Sequence, residues 1–317
     1  MTSPPERATS RHSPARAANT LPQHSGGAGS DEVVELGDLG PWRPRLVATD
    51  LDGTLLTRHG TVSDRTRAAI DASWAAGVPV VGVTGRGPRL LDSVRTALGG
   101  RGIGVLAQGG FVVAFGDTPA EDEVLRTVGL PRDEAQAVID AIEAVTGELV
   151  LAVEDAATQS EALSPLRVQH GFDWPYPEPA DLLPRHDVLP AGPVLKVFLR
   201  SETLGQDELL ALARSVIDPS TAEVTHAGLG FIEVLPPGIT KASGLAVALE
   251  RFGVPMSDVL VFGDMPNDLP MITAVGEAGG RSVAVANAHP AVLAAATDRT
   301  SGHDVDGVAR YLEALQA

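Results

Sequence analysis

Cysteine is absent from the 317 residues. That removes disulfides, thiolate zinc sites and a cysteine nucleophile, and it fits a reducing, cytoplasmic compartment. No uninterrupted apolar run reaches the roughly 18 residues that a membrane-spanning helix needs. Residues 2–29 contain no apolar core of the kind a secretory signal carries, and no internal repeat is visible. Positive charge is also scarce: 24 Lys and Arg stand against 41 Asp and Glu, for a formal net charge of −17. Nucleic acids and anionic membranes are held largely by Lys and Arg that neutralise phosphates, so the balance argues against both as partners. It leaves room for a small anionic ligand, for which local charge decides.

What is present is an acidic chain that is 44% hydrophobic, enough for a sizeable core, and long enough for about two domains. Residues 1–44 are rich in Ser, Pro, Ala, Gly and Arg without an apolar periodic face. Such a segment buries too little to offset its ordering entropy and is expected to be a disordered tail. From Arg45 the pattern changes. Leu46-Val47-Ala48 is a short apolar run closed by Asp50-Leu51-Asp52-Gly53, which reads as a buried strand ending in a turn. Ser63 then caps a helix that stops at Gly77. A β-branched strand at 78–83, a helix at 88–98 and a strand at 103–107 follow. This alternation predicts a parallel, doubly wound sheet.

The alternation lapses after a hairpin arm at 111–115. A helix at 131–146 and a strand at 148–153 precede irregular, proline-rich chain at 171–193. An alternating strand at 195–200, a helix at 207–217 and an antiparallel pair at 223–225 and 230–235 come next. The wound pattern resumes with a helix at 241–251, a strand at 259–262, a turn at 263–268 and a helix at 269–275. A strand at 282–286 and helices from 290 and 305 close the chain. The expected fold class is therefore α/β: a doubly wound, Rossmann-like core made of residues 45–116 and 236–317. An α+β domain is inserted at 117–235, because the interval is too long for an ordinary connection.

At the carboxyl end of a strand in an open α/β sheet, side chains enter the ligand crevice. Side chains two apart in extended chain share a face, so Asp50 and Asp52 are placed to address one bound group. Carboxylates crowded in this way hold a cation or share a proton. Three more segments follow: Val81-Gly82-Val83-Thr84-Gly85-Arg86, then Lys241, then Val261-Phe262-Gly263-Asp264-Met265-Pro266-Asn267-Asp268. In order with Asp50-Leu51-Asp52-Gly53-Thr54-Leu55-Leu56, they resemble the four motifs of the haloacid dehalogenase (HAD) superfamily of phosphotransferases. The position of the insert and the stretch 230–241 are similar to the Cof-type, class IIB-capped branch. The likeness runs from residue 45 to the C-terminus. It departs at Gln108-Gly109-Gly110, where that branch often carries Asn-Gly-Ala.

The resemblance implies a Mg²⁺-dependent phosphatase acting on a small phosphorylated metabolite, chiefly a sugar phosphate, through an aspartyl-phosphate. It assigns Asp50 as nucleophile and Asp52 as general acid, then base. Thr84 and Lys241 are to stabilise the phosphoryl group, with Leu51, Gly85, Arg86 and Asn267 as further phosphate or substrate contacts. If the strands take the order 3-2-1-4-5, the ends at Asp50, Thr84 and Asp264 face one crevice. Asp50, Asp52, Asp264 and Asp268 are the expected metal ligands, an all-oxygen set that selects Mg²⁺ over zinc or copper. Simpler readings stand beside these. Lys241 opens a helix, where a lysine opposes the dipole. Asp264 can be a cap, Asp268 reads equally as a helix N-cap and as a carboxylate near the metal, and Arg86 can be structural. Lys196, His226 and His289 read as ordinary core or surface residues.

Other functions built on the same residues are a sugar phosphomutase and a non-catalytic phosphate-binding protein. The first must return its phosphoryl group to the sugar. The second is at odds with a complete set of motif aspartates. A dehalogenase has no need of an acid at Asp52.

Overall fold

A computed structural model describes residues 42–156, 166–175, 180–226 and 230–315. The chain begins β1 (Leu46–Thr49), α1 (Asp64–Ala75), β2 (Val80–Val83), α2 (Leu91–Ala97), β3 (Gly102–Leu106), β4 (Phe111–Phe115) and β5 (Glu123–Thr127). It continues α3 (Arg132–Thr146), β6 (Val150–Asp155), β7 (Leu166–Gln169), β8 (Ala180–Leu183), α4 (Arg185–Val188), β9 (Val194–Arg200), α5 (Gln206–Val216), β10 (Glu223–His226) and β11 (Ile232–Leu235). It ends α6 (Lys241–Phe252), β12 (Val259–Gly263), α7 (Leu269–Glu277), β13 (Arg281–Val285), α8 (Pro290–Ala295), β14 (Asp298–Thr300) and α9 (Gly307–Ala314).

Two sheets result. The first runs β14-β13-β12-β1-β2-β3-β4-β5 and the second β10-β11-β9-β6-β7-β8. In the first, β14 through β3 are parallel, and β4 alone runs the other way, pairing antiparallel with both β3 and β5. The five strands predicted by the wound pattern therefore lie in the order 3-2-1-4-5. β1 sits in the middle, with Thr49 level with Phe262 of β12 and Gly82 of β2.

Strand alternation sends side chains to opposite faces. Val47, Leu260 and Phe262 join α1, α2 and α9 in one apolar layer. Leu46, Ala48, Val259 and Val261 join α6, α7 and α8 in the other. Burial on both faces explains why these strands read as continuous apolar runs. The second sheet packs one face against α3 and α5, through residues such as Val197 and Leu199.

Three expectations are corrected. The first sheet does not stop at residue 116: β5 is its edge strand, so the chain leaves that sheet only after Thr127 and returns after Leu235. β5 is largely exposed and charged, as suits an edge, and so lacks the apolar period that marks a strand. The proline-rich stretch at 171–193 is not wholly irregular, since it holds β8 and α4. β8 pairs with β7 alone and is followed at once by Pro184, a pattern tolerated at an edge. The tail expected at 1–44 falls mostly outside the described residues. Its last part is ordered, because Trp42 Nε1 donates to the Ser257 carbonyl at 2.9 Å.

Candidate active site

The turn after β1 sets the site. Asp50 leaves the strand still extended, and the chain then folds back so that the Leu56 N–H reaches the Leu51 carbonyl at 2.9 Å. Gly53 makes this possible with φ 81°. A Cβ there would collide with the Asp264 carboxylate, so glycine is required twice over. Thr54 Oγ1 donates to Asp264 Oδ1 at 3.2 Å, tying the β1 turn to the end of β12.

After β12, Asp268 folds back over its own turn. Its Oδ2 accepts the N–H groups of Asp264 (2.8 Å) and Met265 (2.9 Å). Its Oδ1 accepts from Lys241 Nζ at 2.5 Å. Of the two readings of Asp268, the carboxylate beside the cluster is the one observed; it closes the preceding turn rather than capping α7 with its side chain. Lys241 Nζ also donates to Asp50 Oδ1 at 2.6 Å. Thr240 and Ser243 form a reciprocal capping box that starts α6 at Lys241. The helix dipole disfavours a lysine there, but two charge-assisted bonds outweigh it.

Asp50, Asp264 and Asp268 are buried, and each offers an oxygen within 4.8 Å of the others. Three carboxylates around one ammonium leave an excess of negative charge. Burial, then Asp50 and Asp268, push the Asp264 carboxyl up to about 9. Burial pushes Asp50 up to about 7 against the pull of Lys241, with Asp268 and Asp52 adding to the rise. Burial acts against the Lys241 ammonium, but Asp268 and Asp50 hold its pKa above the ordinary value. Oxygen-only donors with uncompensated charge fit a hard divalent cation.

Asp52 is not in this cluster, although it was expected among the metal ligands. Its carboxylate is more than half exposed and is gripped by Arg86, with Nε at 2.8 Å from Oδ2 and Nη2 at 2.6 Å from Oδ1. The shared-face expectation assumed extended chain, whereas the turn already begins at Leu51, between the two aspartates. Both aspartates still line one cavity of about 340 Å³. Thr84, Gly85, Arg86, Asn267 and Lys241 line it as well. Leu51 does not: its side chain is in the apolar core, so only its peptide can face a ligand.

Among the cavity residues missed or set aside, Lys196, Glu233 and Gln108 form one network. Lys196 Nζ donates to Glu233 Oε1 at 2.8 Å and to the Gly85 carbonyl at 2.5 Å. Gln108 Nε2 donates to Glu233 Oε2 at 2.8 Å. A signal was there to find, since each charge interrupts an otherwise apolar strand: Val194-Leu195-Lys196-Val197-Phe198 and Ile232-Glu233-Val234-Leu235. His226 also lines the cavity, whereas His289 caps α8 through Nδ1.

Strand-end carboxylates around a lysine, at the crevice of a wound sheet with an inserted second sheet, define a hydrolase of the haloacid dehalogenase type. The sequence model of haloacid dehalogenase-like hydrolases matches residues 47–312, and the chain belongs to that family. It is 28% identical over 265 residues to a phosphoglycolate phosphatase of Methanothermobacter thermautotrophicus, covering 84% of this chain and 96% of that one. It is 27% identical over 293 residues to the 5-amino-6-(5-phospho-D-ribitylamino)uracil phosphatase YitU of Bacillus subtilis, covering 86% and 97%. Among solved structures, a HAD subclass IIB sugar phosphatase superposes with TM-score 0.66 at 20% identity, over 86% of this chain and 98% of that one. At that identity the likeness is one of fold.

Proposed function

We propose that the chain is a Mg²⁺-dependent phosphatase that hydrolyses a small phosphomonoester, a sugar phosphate in the first instance, through an aspartyl-phosphate on Asp50. The observation that carries this reading is the Lys241 bridge between Asp50 and Asp268, with Asp264 alongside, at the floor of a cavity that also holds Asp52. Asp50, Asp264 and Asp268 would hold Mg²⁺. When bound, the ion offsets their charge and that of the phosphoryl oxygens.

The chain's own residues then divide the work. An Asp50 oxygen attacks phosphorus, and the bond to the leaving oxygen breaks. Lys241 holds Asp50 in place and sets positive charge beside the oxygens as the transition state forms. Asp52 gives its proton to the departing alkoxide. In the second half it takes a proton from the attacking water, the Asp50–phosphorus bond breaks, and inorganic phosphate leaves. Arg86 holds the ionised Asp52 in the form needed for the second half, and must release it when Asp52 carries a proton. Thr84 and Asn267 offer a hydroxyl and an amide to the phosphoryl group, and Gly85 leaves room for it. The second sheet closes the cavity from the far side, where a leaving group would lie.

Phosphate release measured over sugar phosphates, polyol phosphates and nucleotides, with and without EDTA, tests the proposal. Turnover is expected with Mg²⁺, to be lost with EDTA, to disappear in Asp50→Asn and to fall severely in Asp52→Ala. Full turnover by Asp50→Asn would rule out the covalent route.

A further inference from the structure

We infer that Lys196 and Glu233, two buried charges on the second sheet, are positioning residues for the phosphate-side loops of the first. The inference rests on the phosphatase reading above and adds to it a duty for the insert. The two side chains lie on one face of their sheet, aimed at the carboxyl ends of β2 and β3. Every described side-chain hydrogen bond they make beyond their own ion pair goes to those loops, and the Lys196 ammonium also lies 4.5 Å from the Phe198 ring centroid.

One arm begins at Lys196. Its ammonium holds the Gly85 carbonyl at 2.5 Å. The Gly85–Arg86 peptide is planar and trans, so fixing its carbonyl fixes the N–H of Arg86 on the opposite side. That N–H donates to Thr84 Oγ1 at 3.1 Å. With an Oγ1 lone pair occupied in this way, the hydroxyl proton of Thr84 is directed elsewhere. Thr84 is buried, and it lines the cavity. Lys196 therefore sets which way Thr84 donates without touching it.

The other arm begins at Glu233. Its Oε2 takes the Gln108 amide N–H at 2.8 Å, which decides the orientation of that amide. Gln108 Oε1 is thereby left facing Asn267, whose Nδ2 donates to it at 3.3 Å. The backbone is bent to allow this. Ala107, Gln108 and Gly109 have φ of 48°, 57° and 106° in succession, and left-handed non-glycine residues persist where the surroundings hold them. A Cβ on Gly85 would stand 2.8 Å from Gln108 Nε2 and push that amide out of its place.

A charge pair serving only as core would be an odd choice. Burying two ions has a desolvation cost, and apolar residues of similar volume are commonly as stable or more so. The pair is explained by what its remaining bonds hold still.

The test is phosphate release by the full chain over phosphomonoesters that differ only in leaving group, together with inhibition by inorganic phosphate, which has none. Lys196→Met is expected to lower kcat/KM by about 10- to 100-fold, the range for a small misplacement of catalytic groups. The factor should be the same for every ester, with phosphate inhibition weakened in parallel. Lys196→Arg, which can still donate to both acceptors, should recover part of the loss. Gln108→Met leaves the ion pair intact and should reproduce the leaving-group-independent loss through the Asn267 arm. If Lys196→Met does not fold, Gln108→Met and Glu233→Gln decide the matter on the same two readouts. Wild-type kinetics in these variants overturns the inference. So does a loss confined to certain leaving groups with phosphate inhibition unchanged, which would make Lys196 a leaving-group contact. Wild-type protein that neither releases phosphate from any ester nor binds inorganic phosphate overturns the phosphatase reading, and the inference falls with it.

Discussion

Around Lys241 three carboxylates compete for one ammonium, and that imbalance is a statement about protons as much as about metals. With no cation bound, Asp264 titrates near 9 and Asp50 near 7, so at neutral pH the cluster carries protons that a cation must displace. The sign follows directly: the metal-free protein binds more protons than the metal-bound one, so raising the pH favours the metal. Apparent Mg²⁺ affinity is expected to climb between about pH 6 and pH 9 and then level off. Titration calorimetry in two buffers of different ionisation heat should show net proton release at pH 7.5; an affinity flat across that range would contradict the cluster as the Mg²⁺ site. Asp50, Asp264 and Lys241 were legible in the sequence because each sits at a strand end or helix start within a motif. The side-chain placement of Asp52 was not, since it depends on a turn that begins at Leu51 and on Arg86, a residue 34 positions away. Lys196 and Glu233 stand out as charges in apolar strands, but what they hold was illegible for a related reason: Gly85 and Gln108 belong to loops of the other sheet.

Helix α6 shows how an element, rather than a residue, positions the site. Its first turn carries Lys241, and its Gly244 lies directly against Gly109 in the left-handed turn after β3. A Cβ on Gly244 would strike Val105 and the Gly109 backbone, and a Cβ on Gly109 would strike the Thr240 carbonyl. Two effects oppose one another in Gly244→Ala. Helix propensity favours alanine by about 1 kcal/mol, whereas forcing a methyl group into packed backbone costs about 1–3 kcal/mol. Backbone cannot rotate away as a side chain can, so the steric cost should win. Gly244→Ala is expected to lower unfolding stability by up to about 2 kcal/mol in denaturant titration. Turnover should fall too, because α6 is displaced with Lys241 on it; unchanged stability and turnover would show that the helix has slack. The elements that could be read from sequence were those with two buried faces or a cap, such as β1, β12 and α1 with Ser63 accepting the Thr66 N–H. β5, β7 and β8 could not, being short strands near sheet edges whose pairing, rather than their apolar period, defines them.

For the molecule as a whole, the insert is joined to the core by polar cross-links around the cavity. Arg89 meets Glu154 at 2.7 Å, Lys196 meets the Gly85 carbonyl, and Gln108 meets Glu233. The central order 3-2-1-4-5 of the first sheet is one that short right-handed crossovers allowed to be supposed in advance, but this seam could not be, because it is made by side chains that no local pattern connects. Its charges are mutually compensated, so they contribute little field at a distance. What an approaching ligand meets first is the net charge of −17. A phosphomonoester dianion is repelled by that field until it reaches the local cations, and salt screens the repulsion: the Debye length shortens from about 30 Å at 0.01 M to about 10 Å at 0.1 M. Within the cavity the charges are closer together than either length and are screened far less. With Mg²⁺ held saturating, KM for a dianionic ester is therefore expected to fall by about two- to fivefold across that change in ionic strength, kcat staying constant. A neutral-field enzyme would show no change, and one that steers its substrate with positive potential would show KM rising. A rising KM here would mean that a local basic face outweighs the total charge along the path of entry.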